Sequence, residues 1–277
     1  MTNCYGLKNL THLRLRGPDA ERYLTGQITQ RVDDLPVGQS RYTFVCDAKG
    51  RILFDAFVRR DAEGFLLSIE GGEREEQLAR LDRYLIADDC AWSDESERWA
   101  IRHEIEPSPT GEEIIRFGLA GRDEYVEGAA KEALAETPPA DCEQLRIANG
   151  RPRLTDLVGA FPAETGLENE AVSFHKGCYL GQEVISRMKR AGRVNRKLVA
   201  LFLNQAPQSL PAELFAADSD KAQLVVTSVA HETIEVDETP VYPALGSLSS
   251  RYQAGTPLSG PEGLALTGFP IEEEAAV

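Results

Sequence analysis

Apolar and polar residues alternate in short stretches of the N-terminal half of the chain. Residues 10–15 alternate with a period of two, as expected for a strand with one buried face. Three further strands are predicted nearby, over 41–46, 51–60 and 65–69. The connections 47–50 and 61–64 each begin with Asp and end with Gly, which is typical of tight turns. Turns this short predict that the strands they join pair antiparallel.

Helices are predicted between and after these strands. Pro18 is typical of the first turn of a helix, and apolar residues recur at helical spacing in 78–86. A strand pair near 98–105 and 114–119 is predicted to precede helices over 123–135 and 141–149. Strands and helices mixed in this order predict the α+β class, in layers, rather than a doubly wound parallel sheet.

The last 80 residues show a different pattern, with strands but no helical spacing. Strands are predicted over 197–203, 223–229 and 233–236, with Gly and Pro between the later segments. We therefore expect two portions, an α+β portion over 1–196 and a small all-β unit over 197–277. Residues 40–137 are a possible interleaved subdomain of the first portion.

Composition places the chain among soluble globular proteins and excludes several other classes. Of its 277 residues, 42% are hydrophobic and 27% are charged, which is ordinary for a folded soluble protein. The longest apolar run, 198–203, is far shorter than the roughly 20 residues that span a bilayer. The first 15 residues lack a basic region followed by an apolar stretch, so we expect no secretory signal and a cytoplasmic protein.

The charge is distributed unevenly along the chain. The net charge of −15 argues against binding of bulk nucleic acid. Residues 171–197, here called the basic stretch, hold seven basic side chains and one acidic one. Six of the seven are clustered near its end: Arg187, Lys189, Arg190, Arg193, Arg196 and Lys197. They suit either a small anionic ligand or a solvated face that offsets the acidic surroundings.

Five cysteines lie scattered along the chain, and one of them has an unusual setting. No pair forms C-x-x-C and none combines with His at metal-ligand spacing, so no metal site is predicted. Cys178 lies between Gly177 and Gly181 and follows Lys176, and positive charge favours a reactive thiolate. A helix predicted over 179–188 would place this thiol at a helix start. The alternative is that Cys178 is a buried, inert small side chain.

The residues around Cys178 resemble a known protein family. The octapeptide K-G-C-Y-L-G-Q-E at 176–183, followed by Arg187, is similar to the motif of the YgfZ/IBA57 family. Further similarity lies in G-P-D-A…L-T-G-Q-I-T within 15–29, in C-D-A-K-G-R at 46–51 and in L-R-I-A-N-G-R-P at 145–152. The members of the YgfZ/IBA57 family are folate-binding proteins of iron–sulfur cluster assembly and repair, and they are related to the aminomethyltransferase of the glycine cleavage system.

The resemblance implies a fold, a ligand and a set of functional residues. It implies an aminomethyltransferase-like fold around a central channel, a C-terminal β-barrel and tetrahydrofolate, or a folate derivative, as the ligand. Cys178 would be required for activity, without a permanent metal. The folate contacts would come from the octapeptide, the 47–50 turn and the strand after it, namely Lys176, Tyr179, Gln182, Glu183, Arg187, Asp47, Lys49 and Asp55.

The resemblance also implies partners and leaves two alternatives open. We expect a monomer that supports iron–sulfur enzymes, including radical-SAM enzymes that modify transfer RNA, without binding nucleic acid itself. The glutamate carboxylates of folate would meet the basic stretch. The alternatives are a folate-dependent aminomethyl or C1 transferase, with Asp55 or Asp47 as general acid or base, and an RNA-associated interaction module.

Three departures from the aminomethyltransferase pattern bear on these alternatives. Phe54 and Asp55 stand where aminomethyltransferases tend to carry paired acids, and Ala148 stands where they usually carry Glu. Arg31 stands where many relatives carry Asp. The loss of acids weakens the transferase interpretation. Asp55 itself is either a polar contact inside the cavity or an exposed residue of an alternating strand.

Overall fold

Fifteen strands and seven α-helices make up the part of the chain that the computed structural model describes, residues 4–105 and 113–270. The strands, β1 to β15 in chain order, are Cys4–Leu7, Thr11–Arg16, Ser40–Cys46, Ile52–Asp61, Gly64–Ile69, Ala91–Asp94, Trp99–Glu104, Ile114–Ile115, Ala120–Glu127, Arg196–Leu203, Ala212–Leu214, Leu224–Val229, Ile234–Val236, Thr239–Ser249 and Leu266–Gly268. The helices, α1 to α7, are Ala20–Gln27, Arg74–Asp82, Gly128–Ala133, Pro139–Ala148, Leu154–Leu157, Glu168–Ala171 and Gln182–Ala191. Helices mixed with strands in this way confirm the predicted α+β class.

The strands form three antiparallel sheets. The first sheet has the order β3-β4-β5-β2-β6, and the second has the order β1-β7-β9-β8. The third sheet has six strands, in the order β11-β12-β14-β10-β15 with β13 paired to β14, and all of them come from Arg196–Gly268. The tight turns 47–50 and 61–64 join β3 to β4 and β4 to β5, which pair antiparallel as predicted.

The two faces of the first sheet differ in chemistry. On one face Phe54, Ala56 and Val58 of β4 join the largest apolar cluster, which packs against α1 and α2 through Leu24 and Leu81. The opposite face of the same strands carries Tyr42, Asp55, Phe57, Arg59, Ser68 and Glu70. The alternation of the strand therefore turns an apolar side to the helices and a polar side to the rest of the molecule.

The prediction of a helix over 123–135 was wrong. Residues Ala120–Glu127 form β9, and only Gly128–Ala133 are helical. In this strand Asp123 points inward, because Arg116 and His103 hold its carboxylate in the interior. Because a charged residue occupies an inward-facing position of β9, the alternation of apolar and polar residues that indicates a strand is not visible in the sequence. The apolar pattern of 78–86 also extends beyond α2, which ends at Asp82, and Ile86 is 88% exposed.

A buried ionic cluster fastens the third sheet to the helices before it. Arg146 of α4 donates to Asp156 of α5 at 3.0 Å and to Ser228 Oγ of β12 at 2.9 Å. The other oxygen of Asp156 accepts bonds of 2.6 Å from the hydroxyls of Thr227 and Ser228. Asp156 thus neutralises a buried guanidinium and accepts hydrogen bonds from two hydroxyls.

No helix among the described residues is long and apolar enough to cross a membrane. The division of the chain at 196/197 into two domains stays a prediction.

The Arg146–Asp156 cluster generates a prediction about stability. Asp156→Ala leaves the buried Arg146 without one of its carboxylates, and we expect the free energy of unfolding in urea to fall by about 3 kcal/mol. Asp218→Ala, at an exposed acid of the third-sheet region, is the matched control and should change it by less than about 0.5 kcal/mol. The double variant Arg146→Met/Asp156→Leu should recover much of the loss. An unchanged unfolding curve for Asp156→Ala would contradict this account.

Candidate functional site

A narrow polar cavity lies on the polar face of the first sheet, where this face meets the segment around Arg151. We call it the polar cavity. Its lining includes two acids, Asp55 and Glu70, and the guanidinium-bearing residues Arg116, Arg146 and Arg151. Aromatic and hydroxyl-bearing side chains complete the wall, namely Tyr42, Phe57, Phe117 and Ser68.

Asp55 carries a buried carboxylate oxygen with unused bonding capacity in this cavity. The Tyr42 hydroxyl donates to Asp55 Oδ2 at 2.9 Å, whereas the buried Oδ1 accepts no hydrogen bond. Burial raises the pKa of the Asp55 carboxyl from 3.8 to about 6. Burial and the neighbouring Asp55 raise the pKa of Tyr42 well above 10, so its hydroxyl keeps its proton and donates. Asp55 therefore lines the cavity and is not an exposed residue of an alternating strand.

Arg151 closes the cavity opposite Asp55. Its guanidinium stacks over the Tyr42 ring, with the central carbon 4.4 Å from the ring centroid. The two terminal nitrogens donate to the Glu170 carboxylate at 2.6 and 3.0 Å. A stacked and bidentate guanidinium has little freedom, so Arg151 holds the Tyr42 ring and its hydroxyl in position.

A second polar network forms the wall toward the second sheet. Ser68 Oγ contacts His12 Nδ1 at 3.0 Å and the Tyr125 hydroxyl at 3.1 Å. Burial lowers the pKa of His12 to about 3, which keeps this ring neutral at physiological pH. Arg116 pairs with Asp123 at 2.6 Å, and although burial opposes the charge of Asp123, Arg116 and His103 bring its pKa down to about 2. The Arg116 and Asp123 charges of this wall are paired, whereas the Nε2 atoms of His12 and His103 are buried without a hydrogen-bond partner among the described residues.

The polar cavity is chemically suited to a pterin but is closed in this conformation. It encloses about 20 Å³, room for a single water molecule, whereas ligand pockets typically have about 300 Å³ or more. The unpartnered Asp55 oxygen fits the N–H groups of a pterin, and Tyr42 and Phe57 fit its flat faces. A ligand of that size would fit only if the walls moved apart.

The segment 176–183, here called the motif segment, runs along the outside of this region. Its backbone binds the end of α1, where Leu180 N donates to Gly26 O at 3.1 Å. The Lys176 ammonium donates to the carbonyls of Ile28 and Gln30 at 2.8 and 2.7 Å. Burial lowers the pKa of this lysine to about 7. The donors of Lys176 thus bind the main chain and tie the motif segment to the sheet.

Two of the sequence motifs meet at a contact between glycines. Gly181 has a φ of +84°, and a Cβ there would lie 2.6 Å from Asp47 O and 2.8 Å from Gly50 Cα. Only a residue without a side chain allows this approach. Asp47 itself holds the turn, since its Oδ1 accepts bonds from the amides of Lys49 and Arg51 at 2.8 and 2.9 Å. The contact explains why both motifs require glycine.

The helix predicted over 179–188 begins later than expected. Gly181 is its N-cap and α7 runs over Gln182–Ala191, so Cys178 precedes the helix by four residues. Cys178 is exposed, beside Gly177, where an added Cβ would lie 3.5 Å from Thr25 Cγ2. The interpretation as a buried inert thiol is therefore wrong. The proposed helix-start setting is also wrong, because the left-handed glycine ends the preceding turn first.

Tyr179 connects the motif segment with the polar cavity. Its ring is buried in an apolar cluster that also contains Tyr42 and Phe57, both of which line the cavity. The Lys176 ammonium lies 5.2 Å from the centroid of this ring. The Tyr179 hydroxyl is buried without a hydrogen-bond partner in the described part of the chain. Packing, rather than a polar contact, therefore joins the cysteine side to the cavity side.

The remaining predicted ligand residues lie outside the polar cavity. Gln182 is the first residue of α7, Lys49 is exposed on the turn, and Arg187 donates to Glu183 at 2.8 Å on the exposed side of α7. Other members of the basic stretch lie elsewhere on the surface: Lys189 pairs with Glu168, and Arg196 donates to Ser247. The structure thus separates the predicted residues into Asp55 in the cavity and the rest along the outside. Their roles as folate contacts stay predictions.

Several cavity residues were missed at the sequence level. Arg146 and Arg151 lie in the 145–152 segment that carried the family resemblance, so their signal was present but not used. Tyr42 and Ser68 come from strands and Glu70 directly follows β5, and all three differ little from ordinary residues of such segments. Their alternation with Val45, Leu67 and Ile69 is the signal that would have indicated a shared face.

None of the other four cysteines is both exposed and part of the motif segment. Burial raises the pKa values of the Cys46 and Cys142 thiols to about 12, so neither is a thiolate at neutral pH. Within the described ranges, no three His, Cys, Asp or Glu side chains form a group that could hold a metal ion. The absence of a permanent metal stays a prediction.

Comparisons with known proteins identify relatives for both the sequence and the fold. Residues 4–102 match the family model described as the GCVT N-terminal domain. The "tRNA-modifying protein YgfZ" of Escherichia coli O157:H7 is 27% identical over 66% of this chain and 67% of its own length. The mitochondrial "iron-sulfur cluster assembly factor IBA57 homolog" of Pyricularia oryzae is 26% identical over 71% of this chain and 56% of its own length.

The fold resembles a solved aminomethyltransferase over nearly the whole chain. The glycine cleavage system aminomethyltransferase T from Bartonella henselae superposes with a TM-score of 0.76 and 17% identity, covering 97% of this chain and 85% of that one. The matched regions span from 32% to 67% of the curated relatives' own lengths. This likeness confirms the predicted aminomethyltransferase-like fold, which fits folate binding in general. The chain thus carries a match to the GCVT N-terminal domain and is similar to proteins named YgfZ and IBA57.

Proposed function

We propose that this protein binds tetrahydrofolate in the polar cavity and supports iron–sulfur cluster assembly in the cytoplasm. Its clients would include enzymes that modify transfer RNA, in keeping with the names of the relatives. The observation that carries the ligand proposal is the buried, unpartnered Oδ1 of Asp55 between aromatic walls. A buried acceptor without a partner costs free energy that a ligand donor would recover.

Different residues of the polar cavity would contact different parts of the ligand. Above its pKa of about 6 the Asp55 carboxylate accepts only, and the Tyr42 hydroxyl fixes the orientation of its other oxygen. Tyr42 and Phe57 offer ring faces to the flat pterin, and Arg151 keeps Tyr42 in place. Bound folate would supply reduced ring nitrogens that carry a one-carbon unit.

The thiol of Cys178 would act separately from the folate contacts. It is exposed on the motif segment, whereas the cavity is lined by other segments of the chain. Lys176 and Gly181 hold the motif segment against the end of α1 and the 47–50 turn, which fixes where the thiol emerges. A surface thiol in a fixed place suits transient exchange with a partner's cluster or thiol.

The transferase alternative retains one supporting observation. The pKa of Asp55, about 6, suits a group that exchanges protons near neutral pH. Phe54, which replaces the neighbouring acid, faces the apolar cluster on the other side of the sheet, so Asp55 has no second carboxylate beside it on the strand. Release of a one-carbon product by the purified protein would favour the transferase.

The first experiment titrates the purified protein with tetrahydrofolate under anaerobic conditions. We expect saturable binding by calorimetry, and Asp55→Asn should weaken it about tenfold because the ring donors lose an ionised acceptor. The matched control is Asp218→Asn, at an exposed acid far from the cavity lining, which should bind normally. Absence of binding by the unsubstituted protein would refute the proposed ligand.

The pKa of the Asp55 carboxyl predicts how ligand binding depends on pH. Protonation of Asp55 removes the acceptor, so affinity should be about tenfold lower at pH 5 than at pH 7, and level above pH 7. Asp55→Asn should abolish this difference, and any titration of the ligand itself would remain in that variant. A pH profile that is the same in both proteins would show that Asp55 does not accept from the ligand.

A second variant separates the thiol from the ligand. Cys178→Ser should leave the dissociation constant for tetrahydrofolate within about twofold, because the thiol is outside the cavity, yet it should lower client iron–sulfur enzyme activity in cells to the level of a deletion. Cys4→Ser, at the other exposed cysteine, is the control and should keep full activity. Full activity of Cys178→Ser would refute the role of this thiol.

A further inference from the structure

The Arg151 guanidinium occupies a part of the polar cavity that a flat ligand would need. Arg151 and Tyr42 both line this cavity, and the central carbon of the guanidinium lies 4.4 Å from the centroid of the Tyr42 ring. Guanidinium groups stack on aromatic rings within about 6 Å of the centroid. One face of the Tyr42 ring is therefore already covered in this conformation.

A guanidinium shares two chemical properties with a pterin ring. It is planar, and it carries N–H donors along its edge. It also lies close enough to Asp55 to act on this carboxyl: burial raises the pKa of Asp55 to about 6, and the positive charge of Arg151 opposes that rise. Arg151 nevertheless leaves Asp55 Oδ1 without a hydrogen bond. The guanidinium thus lies where a planar donor ligand would lie, without making the bond that such a ligand would make.

Glu170 explains why the guanidinium bonds elsewhere. The two terminal nitrogens of Arg151 donate to the two oxygens of the Glu170 carboxylate at 2.6 and 3.0 Å. A bidentate pair of this kind fixes the direction of the guanidinium as well as its position. Glu170 therefore holds Arg151 against Tyr42.

This ion pair costs less to open than the other ion pairs of the cavity wall. Three buried arginines line the polar cavity, and each is paired with at least one carboxylate. The side chains of Asp156 and Asp123, which pair with two of them, are 0% and 2% exposed, whereas the side chain of Glu170 is 30% exposed. An exposed carboxylate regains hydration when its pair opens, and a buried one does not. Arg151 is accordingly the guanidinium that can leave most easily.

Departure of the guanidinium requires no movement of a strand. Arg151 lies in the connection between α4 and α5, whereas Tyr42 belongs to β3 and Asp55 to β4. Rotation of one long side chain is enough to uncover the Tyr42 ring. The cavity encloses only about 20 Å³ beside the guanidinium, so the guanidinium and a ligand ring exclude each other.

We propose that Arg151 is an intramolecular plug of the polar cavity, that Glu170 latches this plug, and that the ligand displaces it on binding. This inference rests on the proposed function. Because the ligand binds only molecules whose plug has left, its apparent affinity and its association rate are both reduced by the fraction of molecules that are unplugged. The Arg151–Glu170 pair thus sets how readily the cavity accepts its ligand.

The experiment measures association and dissociation of tetrahydrofolate by anaerobic stopped-flow fluorescence. Glu170→Gln removes the charge of the latch and should raise the association rate constant about tenfold. The dissociation rate constant should stay within about twofold, because the plug has already left in the complex. Arg151→Met removes the guanidinium and should raise the association rate constant as well. The control is Glu21→Gln, which breaks an ion pair with Arg60 on the helix side of the first sheet and should change neither rate.

A double-mutant cycle tests whether plug and latch act as one unit. Glu170→Gln/Arg151→Met should bind no faster than the faster of the two single variants, whereas independent effects would multiply. Circular dichroism and thermal unfolding of each variant verify the fold.

The outcomes separate this inference from the function on which it rests. Failure of the unsubstituted protein to bind tetrahydrofolate would refute the proposed function itself. Binding with an unchanged association rate constant in either single variant would overturn the plug and leave folate binding intact. Effects that multiply in the double variant would overturn it as well, because the two residues would then act separately.

Discussion

A guanidinium in the protein interior needs a carboxylate beside it, and four arginines among the described residues are buried. Arg14 pairs with Asp61 and Glu95, Arg116 with Asp123, Arg146 with Glu143 and Asp156, and Arg151 with Glu170. Most of these pairs join different elements, so they fix how sheets and short helices meet. The polar face of the first sheet can be covered only because its charges are compensated in this way.

This constraint also produces the candidate site. When almost every buried charge is matched, the exception becomes informative, and in the polar cavity that exception is Asp55 Oδ1. An unpartnered buried acceptor is what a ligand with N–H donors requires. The thiol of Cys178 lies on a different surface, which the motif segment holds in place through Lys176 and Gly181.

Local signals predicted much of the fold. The strands around 47–50 and 61–64 were predictable because Asp and Gly at fixed positions define a tight turn whatever surrounds it. The helix expected over 123–135 failed because Asp123 faces inward toward Arg116, a residue whose burial the sequence does not reveal. The start of α7 was also predicted wrongly, because Gly181 adopts the left-handed conformation and caps the helix, which therefore begins at Gln182 and not at residue 179.

The sequence by itself determined the α+β class, the antiparallel pairing and the motif segment with Cys178, since these depend on spacing and on short contiguous motifs. Only the tertiary structure decided which side chains form the site. Asp55, Tyr42, Ser68, Arg116, Arg151 and Glu170 are separated by up to 128 residues, and only Asp55 and Arg151 lie in or beside a motif that the sequence shows. Strand pairing and the pairing of buried charges bring them together, and both depend on contacts between distant segments.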